Sequence, residues 1–224
     1  MVISSLLITP YAVTVGLSPD DGGAAEFCLL SPGEWKRLNR SLGYDPEAGL
    51  ALREGQPADD GICEAIRAAH RRTAAVRDAA ALLSRSGKSR SALLNRLKQR
   101  GHSPEAAEYA VSFLEKKGIL DDAAACADYA RNAVRTKHCG RLRIESYLVS
   151  RGYPREDAAA AARAVPDGEY RDALLWQIRK KTPLLASDPA SLSADGRRKA
   201  IAALLRQGFT ADEVRAALKE LKNS

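Results

Sequence analysis

No two of the four cysteines, Cys28, Cys63, Cys126 and Cys139, stand in a CxxC pair. This argues against a zinc ribbon or finger, whose tetrahedral ligand set is built from such close pairs. A chain of 224 residues can bury a core without covalent staples, so the cysteines are read as free thiols in a reducing cytosol. Histidine is scarce: His70, His102 and His138 are the only three, and none stands in the context of a nucleophile, base or metal ligand. Neither GxxxxGKS nor GxGxxG occurs, which leaves nucleotide binding by a phosphate loop without support. Asp121-Asp122 reads as a helix start rather than a metal site. No catalytic residue, metal site or cofactor is therefore expected. Long apolar runs are missing as well. The start, MVISSLLITPY, has no basic leader and its apolar run ends at Ile8, too short for a signal peptide or a membrane span. A cytoplasmic chain with no membrane partner is expected. With 16 glycines and 10 prolines against an apolar fraction of 45%, the chain is not a disordered one.

What the chain does have is positive charge, unevenly placed. Residues 1–60 carry 4 basic and 9 acidic residues, and the remainder carries 31 basic and 19 acidic. Such asymmetry points the later part at an anionic partner, nucleic acid or an acidic protein surface. Solvated surface charge is the plain alternative.

Residues 1–60 read as a small β-rich region and linker. Val2–Ile8 and Tyr11–Val15 are short apolar runs broken by Pro10, and Asp20-Asp21-Gly22-Gly23 is turn chemistry before Glu26–Leu30, which sums to a small antiparallel sheet. Ser31-Pro32-Gly33-Glu34 opens a helix, with serine as cap, proline at the first helical position and glutamate reaching back to the cap amide. That helix offers Trp35, Leu38 and Leu42 to the sheet. Gly43 to Gly61, rich in Gly, Pro and Asp, reads as a linker.

From residue 61 onward the pattern is helical and repeats. LNRLKQRGHSPEAAEYAV around Gly101, ESYLVSRGYPREDAAAAA around Gly152 and IAALLRQGFTADEVRAAL around Gly208 superpose without gaps. Leu97, Leu148 and Leu204 stand four residues before the glycines, and His102, Tyr153 and Phe209 one after. Glu105, Glu156 and Asp212 follow at four, where a carboxylate favours a helix start. Arg90, Arg141 and Arg197 precede by eleven and open the middle helix of each unit. The fold expected is mainly α: three tandem three-helix repeats, at 61–120, 121–168 and 169–224, forming an elongated curved array. Thr182 to Ser193 reads as a loop inserted in the third repeat.

The second repeat carries the most information. Cys126, Tyr129, Ala130 and Ala133 share one helical face, and Ile144, Tyr147 and Leu148 share another beyond Gly140. Between Arg131 and Arg155 seven positive charges stand against Glu145 alone, and Ser84 to Pro104 holds six with no acid. This repetition favours a basic stripe suited to phosphates, with no side-chain set for reading bases.

The stretch LDDAAACADYARNAVRTKHCGRLRIESYLVSRGY resembles the RecX family, small bacterial regulators that bind and inhibit the RecA recombinase. The matching pieces are LDD at Leu120, the CADYA helix, Arg135, Gly140, Ile144, Leu148 and the RGY turn. LLSRSGKSRSALLNRLKQRG is similar to the family's usual opening. The resemblance covers essentially the whole chain, most strongly from Ala74 to Tyr153 and least in the third repeat. It implies tandem three-helix repeats and a monomeric, non-enzymatic modulator of recombination, DNA repair and the SOS response. Such a protein lodges in the groove of the RecA filament on single-stranded DNA and blocks recombinase and co-protease functions. By position, the resemblance carries over Arg85, Lys88, Arg90, Arg135, Lys137, Arg141 and Arg151 as residues that touch recombinase or DNA. Two rivals stand beside it: a stand-alone DNA-binding protein of helix-turn-helix type, and a scaffold solenoid with an unrelated acidic partner.

Overall fold

The structure, a computed structural model, describes residues 1–45, 51–85, 87–181, 183 and 193–222. Three strands, β1 (Val2–Ile8), β2 (Val13–Ser18) and β3 (Glu26–Leu30), form one antiparallel sheet in that order. Thr9 closes the first hairpin, its hydroxyl accepting from the Ala12 amide at 3.0 Å and donating to the Ala12 carbonyl at 2.8 Å. Strand alternation sends Val13, Val15 and Leu17 inward beside Cys28 and Leu30. Ten helices follow among the described residues: α1 (Pro32–Ser41), α2 (Asp60–Arg85), α3 (Arg90–Gln99), α4 (Pro104–Lys116), α5 (Asp122–Lys137), α6 (Arg141–Ser150), α7 (Arg155–Ala164), α8 (Asp167–Lys181), α9 (Ala194–Arg206) and α10 (Ala211–Lys222). The inserted loop read at Thr182–Ser193 lies almost wholly outside the described residues.

The chain divides into two compact units, Met1–Lys88 with Leu93–Leu120, and Ser89–Ala92 with Asp121–Ser224. In the first, the inner face of the sheet packs on Trp35 and Leu38 of α1 and on Cys63, Ile66 and Ala69 of α2. A further core joins Ala75, Ala79 and Leu82 of α2 to Leu93, Leu97 and the α4 face Ala107, Ala110, Val111 and Leu114. The long helix α2 therefore serves both cores.

Two expectations for this unit are corrected. Ser31 does cap α1, its side chain accepting from the Glu34 amide, but the Glu34 carboxylate does not return to the cap. The Ser31 amide donates instead to Thr73 Oγ1 at 3.0 Å. Glu34, with its side chain 5% exposed, takes Arg72 Nη2 at 2.7 Å and Nε at 2.8 Å and accepts the Tyr109 hydroxyl. The guanidinium groups of Arg37 and Arg72 lie 5.0 and 5.5 Å from the Tyr109 ring centroid. A local cap rule loses here to a network that ties α1 to α2 and α4. The segment read as a linker also does more than span a gap. Leu52 is 1% exposed in the sheet core and its amide donates to Asn39 Oδ1 at 2.7 Å. The backbone from Gly55 to Ala58 bonds to Met1 and Ile3, covering the first part of the β1 edge.

In the second unit one core joins α5, α6, α7 and α8 to Leu204, Val214 and Ala217 of the last two helices and to Phe209 in the turn between them. The repeated glycines take nearly the same backbone conformation, with φ of 87° at Gly101, 86° at Gly152 and 91° at Gly208. A left-handed residue here lets the His102 and Tyr153 amides reach back to the Leu97 and Leu148 carbonyls at 3.2 Å, ending the helix. Arg90 and Arg141 are the first residues of α3 and α6, whereas α9 starts at Ala194, three residues before Arg197. Ser193 explains the shift, since its side chain accepts from the Gly196 amide and caps the earlier start.

Helix ends meet at two junctions in this unit. Ser89 and Ser91 donate their hydroxyls to the Arg151 and Gly152 carbonyls at the end of α6, at 2.9 and 2.7 Å. At the other end of α6, the Gly140 and Leu142 amides donate to the Gln207 and Gly208 carbonyls, at 2.8 and 3.1 Å. Each junction pairs carbonyls left over at a helix end with donors at the start of a helix that comes earlier in the chain.

Candidate functional site

The basic residues singled out in the sequence fall into distinct settings. Arg85 is the exposed last residue of α2, and Lys88 is half-buried in the segment before α3. Arg90 is half-buried, and its backbone amide donates to both carboxylate oxygens of Asp122 at 3.0 and 3.1 Å. The acid that heads α5 thus stands at the α3 N-terminus, where the dipole favours a negative charge. Asp121, not Asp122, caps α5, accepting from the Ala124 amide at 2.9 Å.

Arg135 and Arg141 both turn toward the start of α8. Arg135 bonds Glu169 through Nε at 3.2 Å and Nη2 at 3.4 Å, and that carboxylate holds its guanidinium above the ordinary range. Arg141 bonds Asp167 at 2.6 Å and lies 4.9 Å from the Tyr170 ring centroid. Tyr170 donates its hydroxyl to the Ala162 carbonyl at 2.8 Å, and burial pushes its phenol up to about 12. Arg141 is therefore part of the packing between α6 and α8 as well as a positive charge.

Lys137 and Arg151 are brought together. They come from the end of α5 and the end of α6, and both border a stacked tyrosine pair. The Tyr129 and Tyr147 rings lie 4.5 Å apart and 9° from parallel. Lys137 Nζ sits 4.9 Å from the Tyr129 centroid and 5.4 Å from that of Tyr147, while the Arg151 guanidinium is 5.7 Å from Tyr147. A cation this close to an aromatic face is held by the ring quadrupole without being neutralised. Burial raises the Tyr129 phenol above its usual value. Tyr147 departs from its expected place with Ile144 and Leu148, being 37% exposed where those two are buried. Its turn of α6 is directed toward Tyr129 at the rim of the core.

A second aromatic pair adjoins the first along the chain. His138 takes a left-handed conformation, φ 47° and ψ 51°, as the cap of α5. Its ring stacks on Trp176 at 3.9 Å, and Gln177 Nε2 donates to the His138 carbonyl at 2.9 Å. Sequence reasoning passed over Trp176 and Gln177, which lie in α8, 38 or more residues beyond His138. The local signal was His138 itself, a non-glycine residue directly after the last helical residue of α5, Lys137.

The arrangement offers cations and aromatic surface. All four cysteines are free and buried. Burial raises each thiol, Cys28 and Cys126 to about 11, so they are protonated near neutral pH. Among the described residues no group of three His, Cys, Asp or Glu side chains is placed to hold a metal, and no helix is long and apolar enough to cross a membrane.

No protein-family profile matches the sequence. A protein of Xanthomonas campestris pv. campestris named Regulatory protein RecX is 34% identical over 144 residues, which are 64% of this chain and 85% of that protein. The chain belongs to the RecX family. A crystal structure of regulatory protein RecX superposes with a TM-score of 0.72 at 18% identity, covering 100% of this chain and 99% of that one. RecX from Lactobacillus salivarius gives a TM-score of 0.62 at 19% identity over 69% of this chain and 98% of its own. At those identities the likeness is one of fold, and it extends the RecX architecture over the whole chain. The Lys137–Tyr129–Tyr147–Arg151 cluster thus sits on a RecX scaffold.

Proposed function

We propose that this RecX protein is a non-enzymatic regulator of homologous recombination and DNA repair, acting in the bacterial cytoplasm as a monomer. It binds the RecA filament on single-stranded DNA and inhibits the recombinase and co-protease activities. Arg85, Lys88, Arg90, Arg135, Lys137, Arg141 and Arg151 supply the positive surface, and the repeats are the bodies that carry it. Family membership supports the regulatory role. The observation that carries the contact is the pairing of Lys137 and Arg151 around the tyrosine stack: two exposed cations from different helices, held by rings and paired with no acid among the described residues. Such cations neutralise phosphates or acidic side chains when a partner arrives.

The helix-turn-helix rival needs the first turn of a middle helix to enter a groove. In α6 that turn is occupied, its amides bonded to Gln207 and Gly208. A filament regulator has no such need, because phosphates and protein acids are reached from the flank.

The test is a binding titration of the full chain on RecA-coated single strands at several salt concentrations. Lys137→Glu with Arg151→Glu should weaken binding by at least roughly tenfold and reduce the salt slope by about 1 to 2. Equal affinity and equal slope would remove these two residues from the interface. Arg141 is a poorer reporter, since losing it also disturbs the Asp167–Tyr170 packing.

A further inference from the structure

The two aromatic stacks of the second unit are not core. Tyr147 is stacked on Tyr129 and still 37% exposed, and Trp176 is stacked on His138 and still 39% exposed. Both are anchored to one backbone turn: Lys137 and His138 belong to it, and Gln177, next to Trp176, donates to the carbonyls of both, at 3.4 and 2.9 Å. Each stack covers one ring face, and each outer residue keeps more than a third of its surface exposed. The same turn carries Lys137, over both tyrosines, with Arg151 beside Tyr147. His138 holds this geometry in a left-handed conformation that a non-glycine residue adopts at some cost, the kind of strain that persists at binding sites.

Outward aromatic rings interleaved with cations are what a single strand of nucleic acid recognises: bases stack on the rings and the backbone is tracked by the charges. A duplex keeps its bases stacked on one another and cannot use them. We propose that Tyr147 and Trp176 are base-stacking platforms for single-stranded DNA, with Lys137 and Arg151 meeting the phosphates between the stacked bases. This deepens the reading above, on which it rests: the strand is gripped through its bases as well as its charge, so the protein prefers single-stranded to double-stranded DNA without the recombinase.

The experiment titrates the full chain, without recombinase, with oligothymidylate and with an abasic phosphodiester strand of the same length. Emission of the exposed Trp176 and strand anisotropy are the readouts, since Trp35 is buried. The base-bearing strand should quench Trp176 and bind roughly tenfold or more tightly than the abasic one. Tyr147→Ala and Trp176→Ala should each lose most of that preference while keeping the salt slope, and Lys137→Gln should lower the slope by about 0.7. Surface exposure of both rings favours intact folding, and circular dichroism checks it. Equal binding of both strands, or unaltered preference in both alanine variants, would overturn the stacking proposal and leave the phosphate contacts standing. Binding of neither strand at low salt would overturn it together with direct contact to single-stranded DNA.

Discussion

Gly140→Ala is expected to destabilise the second unit by about 3 kcal/mol, in the upper range for forced overpacking. Gly140 has an ordinary negative φ of −79°, so backbone strain is not the reason. A Cβ there would lie well inside contact distance of the Gly208 carbonyl and the Phe209 amide. Those are backbone atoms, with no rotamer to move aside. The junction between α6 and the end of α9 would have to open, losing the Gly140 and Leu142 amide bonds and loosening Phe209, only 1% exposed. Urea unfolding of the full chain measures the loss, and faster hydrogen exchange of those two amides locates it. Gly168→Ala is the control, because nothing lies within 4 Å of its added Cβ, and it should stay within about 0.5 kcal/mol of the parent. A Gly140→Ala variant as stable as that control would show that the close approach does not hold the last two helices.

Glu34→Ala should cost about 3 kcal/mol in the first unit, the scale for breaking one side of a buried ion pair. The change leaves Arg72, with its side chain 23% exposed, without the carboxylate oxygen that accepts from both its Nε and Nη2, and leaves the Tyr109 hydroxyl without its acceptor. Burial, followed by the Glu34 carboxylate, raises the Tyr109 phenol, so the tyrosine stays a donor at neutral pH. Thermal unfolding of Glu34→Ala, Arg72→Ala and the double variant separates pair from parts. Coupling of about 1 kcal/mol or more is expected for residues in one network. Strict additivity would mean that the network contributes nothing beyond packing.

Local features were legible in the sequence. A glycine needed at positive φ, a leucine four residues before it and a carboxylate four after follow from the rules of a single helix end. The three copies at Gly101, Gly152 and Gly208 repeat them with almost identical φ. Ser31 could be placed as a cap, and Asp121-Asp122 as a helix start, for the same reason. Partners distant in sequence could not be read. Glu34 looks like half of a capping box until Arg72 and Tyr109 are folded against it, and Leu52 looks like linker until Asn39 binds its amide. Tyr147 shares the period of Ile144 and Leu148, and periodicity cannot tell a residue at the core rim from one inside it. Charge was legible as an amount but not as availability. Of the arginines and lysines singled out, Arg135 and Arg141 meet the acids of α8, whereas Lys137 and Arg151 meet tyrosine rings.

The regulatory account is tested most directly by RecA-driven strand exchange, using the recombinase of the same organism and this protein at substoichiometric amounts. The expected result is inhibition that deepens with added protein and is relieved by Lys137→Glu with Arg151→Glu. Strand exchange that runs at full rate with the folded parent protein present would contradict the account.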